Sequence, residues 1–313
     1  MTAERVPSRP YKKPNRYIKN LRDHWELYLI MLVPVTLLVI FSYFPMYGAQ
    51  IAFKDFKVRK GIMGSEWVGL RHFLKFFGAY DFIRLIINTL IISVTSLLIG
   101  FPMPIILAIS LNECRTAWFK KTVQMSTYAP YFISTVVLVS MMNIVLANDG
   151  LVNNALMILG MNKINFLGNP GIFKFVYALS GTWQGAGYGA IIYIAALSGV
   201  DPQLHEAAII DGANKWQRIY HIDLPSIVPT AVILLIMNLG QIMNVGFEKT
   251  FLMQNPMNIS QSDVISTYVY RIGLTNNQPD YATAVGLFNS VVGLIMTVTA
   301  NYTARRVSGH SLW

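Results

Sequence analysis

The chain has 313 residues, 54% of them hydrophobic and only 13% charged, where an average soluble domain carries about 25% charged residues. That deficit excludes an ordinary water-soluble domain. A net charge of +10 does not argue for nucleic acid, because the basic residues gather at the borders of apolar runs, where anionic lipid accounts for them.

In chain order, residues 1–26 come first and carry Arg5, Arg9, Lys12, Lys13, Arg16, Lys19 and Arg22, with Pro7, Pro10 and Pro14 discouraging a helix. This is the pattern of a basic tail retained on the cytoplasmic side of a membrane. A cleavable signal peptide would have a shorter apolar stretch and small residues at a cut site, so the first apolar run is expected to stay as an anchor.

Six uncharged runs follow, at 27–53, 85–112, 122–148, 175–200, 224–247 and 281–304, holding 27, 28, 27, 26, 24 and 24 residues. A bilayer core of about 30 Å needs about 20 apolar residues in a helix. The expected fold is therefore an all-α integral membrane protein with six transmembrane helices over 27–304, followed by a second cytoplasmic tail at 305–313. A soluble bundle would need six long helices apolar on every side, and a barrel would show alternating segments of about ten residues. An even number of spans puts both termini in the cytoplasm. Lys and Arg then number 14 inside and 11 outside, so the tail decides the orientation more than the total does.

In the first outer connection, EWVGLRHFLKFF places Trp67, Leu70, Phe73, Leu74 and Phe77 at helical spacing, which predicts a helix lying in the membrane interface. Pro34, Pro45, Pro102, Pro104, Pro130 and Pro229 fall within spans and predict kinks, tolerated where neighbours satisfy the freed carbonyls. The single Cys114 excludes an internal disulfide and a cysteine metal cluster.

Between the fourth and fifth runs the chain reads EAAIIDGANKWQRIYHIDLP from Glu206 to Pro225. Asp201-Pro202 is a good helix start, and Gly212 a natural stop. A second helical piece over 214–222 leads into Leu224-Pro225, so residues 201–225 predict a short bent helical hairpin leaving the membrane. Ala207 and Ala208 leave room for another protein's surface beside the charge of Glu206. A solvated turn joining two spans fits the same geometry.

This stretch resembles the EAA loop of ABC importer permeases, matching at Glu206, Ala207, Ala208, Asp211, Gly212, Ala213, Ile222, Leu224 and Pro225. The segments YIAALSGVDPQLHEAA, VGFEKTFLMQNP, SDVISTYVYRIGL and YATAVGLF are similar to the maltose-type carbohydrate permeases that import complex oligosaccharides with a lipoprotein receptor. The resemblance covers residues 84–306. It implies a multi-pass protein of the bacterial plasma membrane that works with a second permease, two ATPase subunits, an extracellular solute-binding lipoprotein and a saccharide. It also makes residues 206–212 the element that couples ATPase closure to the spans, which requires 201–225 to face the cytoplasm, as the basic tail does independently.

No G-x-x-x-x-G-K-[ST] phosphate loop occurs, so ATP and Mg are expected on the partner ATPase and no cofactor in this chain. The five histidines form no H-E-x-x-H pair, and no metal site is expected. The six runs contain no Asp, Glu, Lys, Arg or His, which argues against a proton relay.

A neutral polar and aromatic lining remains available for sugars. In the fourth run Gly181, Gly185 and Gly189 fall four apart and predict close helix approach. Trp183, Gln184 and Tyr188 lie beside them, and Asn238, Gln241 and Asn244 form a stripe at three-residue spacing in the fifth run. Related permeases place the sugar between these two helices; Asn88 and Asn289 are weaker candidates. Hydrogen bonding within the bundle is the alternative for each of them. Two other functions compete: a membrane enzyme, which needs an acidic or histidine cluster at a membrane border, and a passive channel, in which uptake survives ATP depletion. EAA loops also occur in permeases for non-sugar solutes, so the choice of sugar rests on the resemblance.

Overall fold

The computed structural model describes residues 23–309 and 311–312. The basic tail expected over 1–26 lies, up to residue 22, outside the described residues. The chain divides into two compact units, Met1–Gln50 and Ile51–Trp313.

In the first unit helix α1 (Trp25–Leu38) runs through a π turn (Val39–Tyr43) into a further helical turn, Phe44–Met46. Pro34 sits inside α1 without ending it. The π turn lies just ahead of Pro45. A proline ring crowds the carbonyl four residues back, and the wider turn relieves that contact while Phe44 N–H reaches Val39 O.

The second unit opens with a two-residue antiparallel pairing of β1 (Lys54–Asp55) with β2 (Glu66–Trp67) and a short helix α2 (Arg71–Phe77). The interfacial helix expected from Trp67 is thus shorter at its start: Trp67 is in the strand, stacked on Phe53 at 5.5 Å, and only Phe73, Leu74 and Phe77 fall in the helix. Then come α3 (Phe82–Gly100) and α4 (Pro102–Asn112), continuous through Phe101.

The third run, expected as one span over 122–148 with a kink at Pro130, is broken more sharply than a kink. It forms α5 (Ala117–Tyr128), a 3-10 turn (Ala129–Phe132) and α6 (Thr135–Val145), bent by 103°. Ile133 leaves helical geometry, and Ser134 caps α6 by accepting from Val137 N–H. That Ser-Thr helix start is a local signal, which a reading by uncharged runs passes over.

Further on are α7 (Leu151–Ile158), α8 (Pro170–Ser198), α9 (Pro202–Ile210) and α10 (Lys215–Arg218). A second π turn, Ile219–Asp223, leads into α11 (Leu224–Gly240). After α12 (Phe247–Met253) and α13 (Ile265–Tyr270), the 30-residue α14 (Pro279–Ser308) closes the unit. It continues past residue 304, where a tail was expected.

Among the described residues four helical stretches are long and apolar enough to cross a membrane: Trp25–Phe53, Phe82–Asn112, Lys215–Gly240 and Pro279–Arg306. The bent α5–α6 pair makes a fifth if it counts as one span. Helix α8, where the sixth span was expected, is 29 residues long but is not among the stretches apolar enough to cross a membrane; its centre is polar and glycine-rich.

Small residues let α8 lie close to its neighbours: a methyl group at Gly187 would overlap the Thr127 carbonyl of α5, and one at Gly189 would stand 3.2 Å from Pro104 of α4. Beside α11 and α14, Phe76, Leu85, Tyr268, Tyr281 and Val285 form a buried cluster. Ile83, Leu98, Ile106 and Leu294 face outward, an arrangement stable where hydrocarbon or another apolar chain replaces water.

Candidate functional site

Two features stand out, a loop at one end of the bundle and a half-open cavity among the helices whose largely apolar wall contains several amide side chains. In the loop, Asp201 Oδ1 accepts from Gln203 N–H at 2.9 Å and Pro202 takes the first helical position of α9. Gly212 has φ +80°, and Ala213 N–H bonds Ala208 O at 2.8 Å while Gly212 N–H bonds Ile209 O at 3.0 Å. This doubly bonded helix stop needs the left-handed conformation that glycine adopts without strain. Asn214 then opens α10 with a reciprocal pair: its Oδ1 accepts from Gln217 N–H at 2.9 Å, and its own N–H donates to Gln217 Oε1 at 2.7 Å.

The expected hairpin is therefore present in its first arm and its turn. The second arm is not a separate piece ending at Leu224-Pro225. It is the start of the fifth span, continuous from Lys215 to Gly240, because the π turn brings Leu224 N–H to Ile219 O and lets the helix absorb Pro225.

Two charged-group contacts lie beneath α9 and α10: His205 Nε2 is 3.4 Å from the buried Asp223 carboxylate, and Lys215 Nζ is 3.6 Å from Glu113, in the connection before α5. Outward, Glu206, Ala207, Asp211 and Gly212 are exposed. Beside them Leu204, Ile209, Ile210, Trp216 and Tyr220 are exposed as well, Ile210 to 85%. A rigid, capped knob with a large apolar surface and an acidic edge has the composition of a docking surface.

The cavity has a volume of about 550 Å³ and lies among α3, α8, α11 and the start of α12. Gln184, Asn238, Gln241 and Asn244 line it, as their spacing predicts, whereas Trp183 and Tyr188 do not. Trp183 is exposed, and Tyr188 stacks on Tyr131 with ring centres 3.9 Å apart.

Helix α11 ends at Gly240, so the polar stripe is completed by turns in which Gln241 N–H bonds Asn238 O and Asn244 N–H bonds Gln241 O. Bonds of this i to i+3 type keep every third side chain on one side. Asn244 donates to Gln241 Oε1 at 2.9 Å, and Asn289 donates to Asn244 Oδ1 at 3.1 Å. Gln184 Nε2 donates to Ile133 O at 2.7 Å, bracing the bend between α5 and α6. Gly185 is open to the cavity, with no atom within 4 Å of where a Cβ would stand. Asn88 is structural instead, donating to the backbone of Ser260 and Asp263.

The lining also contains a residue that composition could not place, Lys249. It stands just beyond the fifth uncharged run, in a segment expected to be an outer connection, but α12 folds back and buries it. Its Nζ donates to Tyr177 O at 2.8 Å and lies 4.4 Å from the centre of the Tyr177 ring. Burial lowers the lysine pKa to about 8, since a charged ammonium is disfavoured away from water.

Residues 100–309 match the family model described as binding-protein-dependent transport system inner membrane component. The chain belongs to this family. The permease is 42% identical over 303 residues to the polygalacturonan/rhamnogalacturonan transport system permease protein YteP of Bacillus subtilis (strain 168), covering 96% of this chain and 94% of the relative. It is also 42% identical over 293 residues to protein LplB of the same organism, covering 93% and 92%. Among solved structures it is similar to a chain of a bacterial ABC transporter involved in the import of the acidic polysaccharide alginate. That match has a TM-score of 0.86 and 42% identity, and covers 94% of the permease and 100% of that chain. A structure of the bacterial alginate ABC transporter in complex with alginate pentasaccharide-bound periplasmic protein matches equally well, with a TM-score of 0.86 and 41% identity over 95% and 100% of the two chains. The permease is thus an inner membrane component of an importer, and the loop and cavity are its candidate working parts.

Proposed function

We propose that this permease forms half of a membrane path for an oligosaccharide, which enters the cell by alternating access driven by ATP hydrolysis on partner subunits. The observation that carries the reading is the pairing of a capped, outward-facing knob at one end of the bundle with an amide-bearing cavity beside the two helices that flank it. In this reading Glu206, Ala207, Ala208, Asp211, Gly212 and Ala213 present the knob to an ATPase in the cytoplasm, and Leu224 and Pro225 continue it into α11. Gln184, Asn238, Gln241 and Asn244 offer amide partners to sugar hydroxyls. The relatives' names, a polygalacturonan/rhamnogalacturonan permease and an alginate importer, support the saccharide class. The periplasmic protein in the alginate complex supports an external receptor as the source of cargo. A second permease, two ATPases carrying ATP and Mg, and cytoplasmic termini complete the assembly.

The test is gentle extraction from native membranes followed by ATPase measurement in lipid. An associated nucleotide-binding subunit whose hydrolysis rises when loaded receptor is added is expected. Purification of the permease without such a subunit would contradict the proposal.

A further inference from the structure

The cavity lining contains one charged side chain, Lys249, and no aspartate or glutamate. Removing a cation from water is costly unless an opposite charge or good hydrogen bonds replace its hydration. Within the protein one backbone carbonyl and one ring face serve an ammonium with three donors, which leaves donors free for whatever fills the cavity.

Space has also been left for the group. A Cβ on Gly181 of α8 would stand 3.1 Å from Nζ, so the glycine gives the ammonium its room. Tyr177 lies 21 residues before the end of α8, which is roughly 30 Å along the helix axis. Lys249 therefore sits toward the end of the cavity remote from the knob, where cargo released by an external receptor would arrive.

We infer that Lys249 is a charge-reading residue of the translocation path, and that the saccharide carried is acidic, its carboxylate pairing with the Lys249 ammonium while its hydroxyls meet the amides of Gln241 and Asn244. The inference rests on the sugar-importer reading and narrows its substrate class. A carboxylate supplies the acceptor atoms that the lysine lacks, and a neutral sugar supplies no counter-charge. Burial lowers the Lys249 pKa to about 8, which leaves the ammonium the main form at neutral pH. The other titratable groups in the lining are Tyr177 and Tyr193, so the cavity loses its positive charge as pH rises through 8.

The test uses the complete importer in proteoliposomes. It compares a uronic acid trisaccharide with the neutral trisaccharide made by reducing its carboxylates. Lys249→Met is expected to lower the ratio of acidic to neutral uptake at least tenfold, and Lys249→Arg to keep most of the acidic preference. In the unmodified importer the ratio of acidic to neutral uptake should fall as pH is raised from 7 to 9; the ratio removes pH effects on the ATPase and receptor. Equal loss of both sugars in Lys249→Met, or an acidic preference untouched by it, overturns the inference. If that variant fails to insert, a ratio that is flat with pH overturns it instead. Absence of uptake of either sugar by the unmodified importer, with receptor and ATP present, is a different result and overturns the sugar-importer reading itself.

Discussion

At the residue scale, the glycines of α8 have separate duties. Gly187 is where α8 touches α5, and an added methyl group would meet the Thr127 carbonyl, a backbone atom that cannot swing away. Gly185, two residues earlier, faces open cavity. Gly187→Ala is therefore expected to destabilise by about 1–3 kcal/mol, the usual cost of overpacking, and to lower the thermal midpoint in detergent. Gly185→Ala should leave that midpoint unchanged. Equal midpoints for the two variants would show that the helices do not approach as described. Gln184 combines two roles, since its amide braces Ile133 O from within the cavity lining. Gln184→Leu strands that carbonyl, and a loss of about 1–3 kcal/mol is expected, readable in the same unfolding measurement. An unchanged midpoint would mean that another group satisfies the bend.

At the element scale, α9 combines rigidity with exposure. Its stop depends on Gly212 at φ +80°, a conformation costing an ordinary residue about 1–2 kcal/mol. Gly212→Val should therefore loosen the knob while the spans still insert. Glu206→Lys should do something narrower, because the exposed side chain has no hydrogen bond to lose. Normal membrane levels with strongly reduced sugar uptake are expected, and full uptake would remove Glu206 from the coupling role. How far such elements could be read in advance follows from the kind of signal each carries. The uncharged runs and the Asp201-Pro202 and Gly212 helix limits are written along the chain, and they predict α3, α8, α9, α11 and α14. The bend at Ile133 depends on a two-residue cap in an apolar run, and the β1–β2 pair is too short to leave a periodic pattern. Lys249 falls in a segment that the charge pattern makes an outer connection, and its burial comes from α12 folding back, a tertiary event with no local trace. Trp183 and Tyr188 show the converse. They share a helix with the cavity residue Gln184, but a position alongside it is no guarantee of the same face.

At the scale of the whole molecule, the side of the membrane on which each loop lies is a parity question, and the bent α5–α6 pair decides it. Tyr80 precedes α3 and is 97% exposed; Ile210 follows α8 and is 85% exposed. Between them lie the continuous α3–α4 helix, the bent pair and α8. If the pair crosses the membrane once, three crossings separate the two residues and they face opposite sides. If the 103° bend turns the chain back on itself, two crossings separate them and they share a side. The basic tail favours a cytoplasmic N-terminus, which puts Tyr80 outside and Ile210 inside. With Cys114, the only cysteine, replaced by serine, Tyr80→Cys is expected to react with a membrane-impermeant maleimide on intact cells. Ile210→Cys is expected to react only after permeabilisation, and more slowly when the ATPase is co-expressed, because the exposed apolar edge of α9 is then covered. Reaction of both cysteines on intact cells would make α5–α6 a re-entrant loop and place the knob where no cytoplasmic motor could reach it, so one pair of labelling rates tests the span count and the coupling mechanism together.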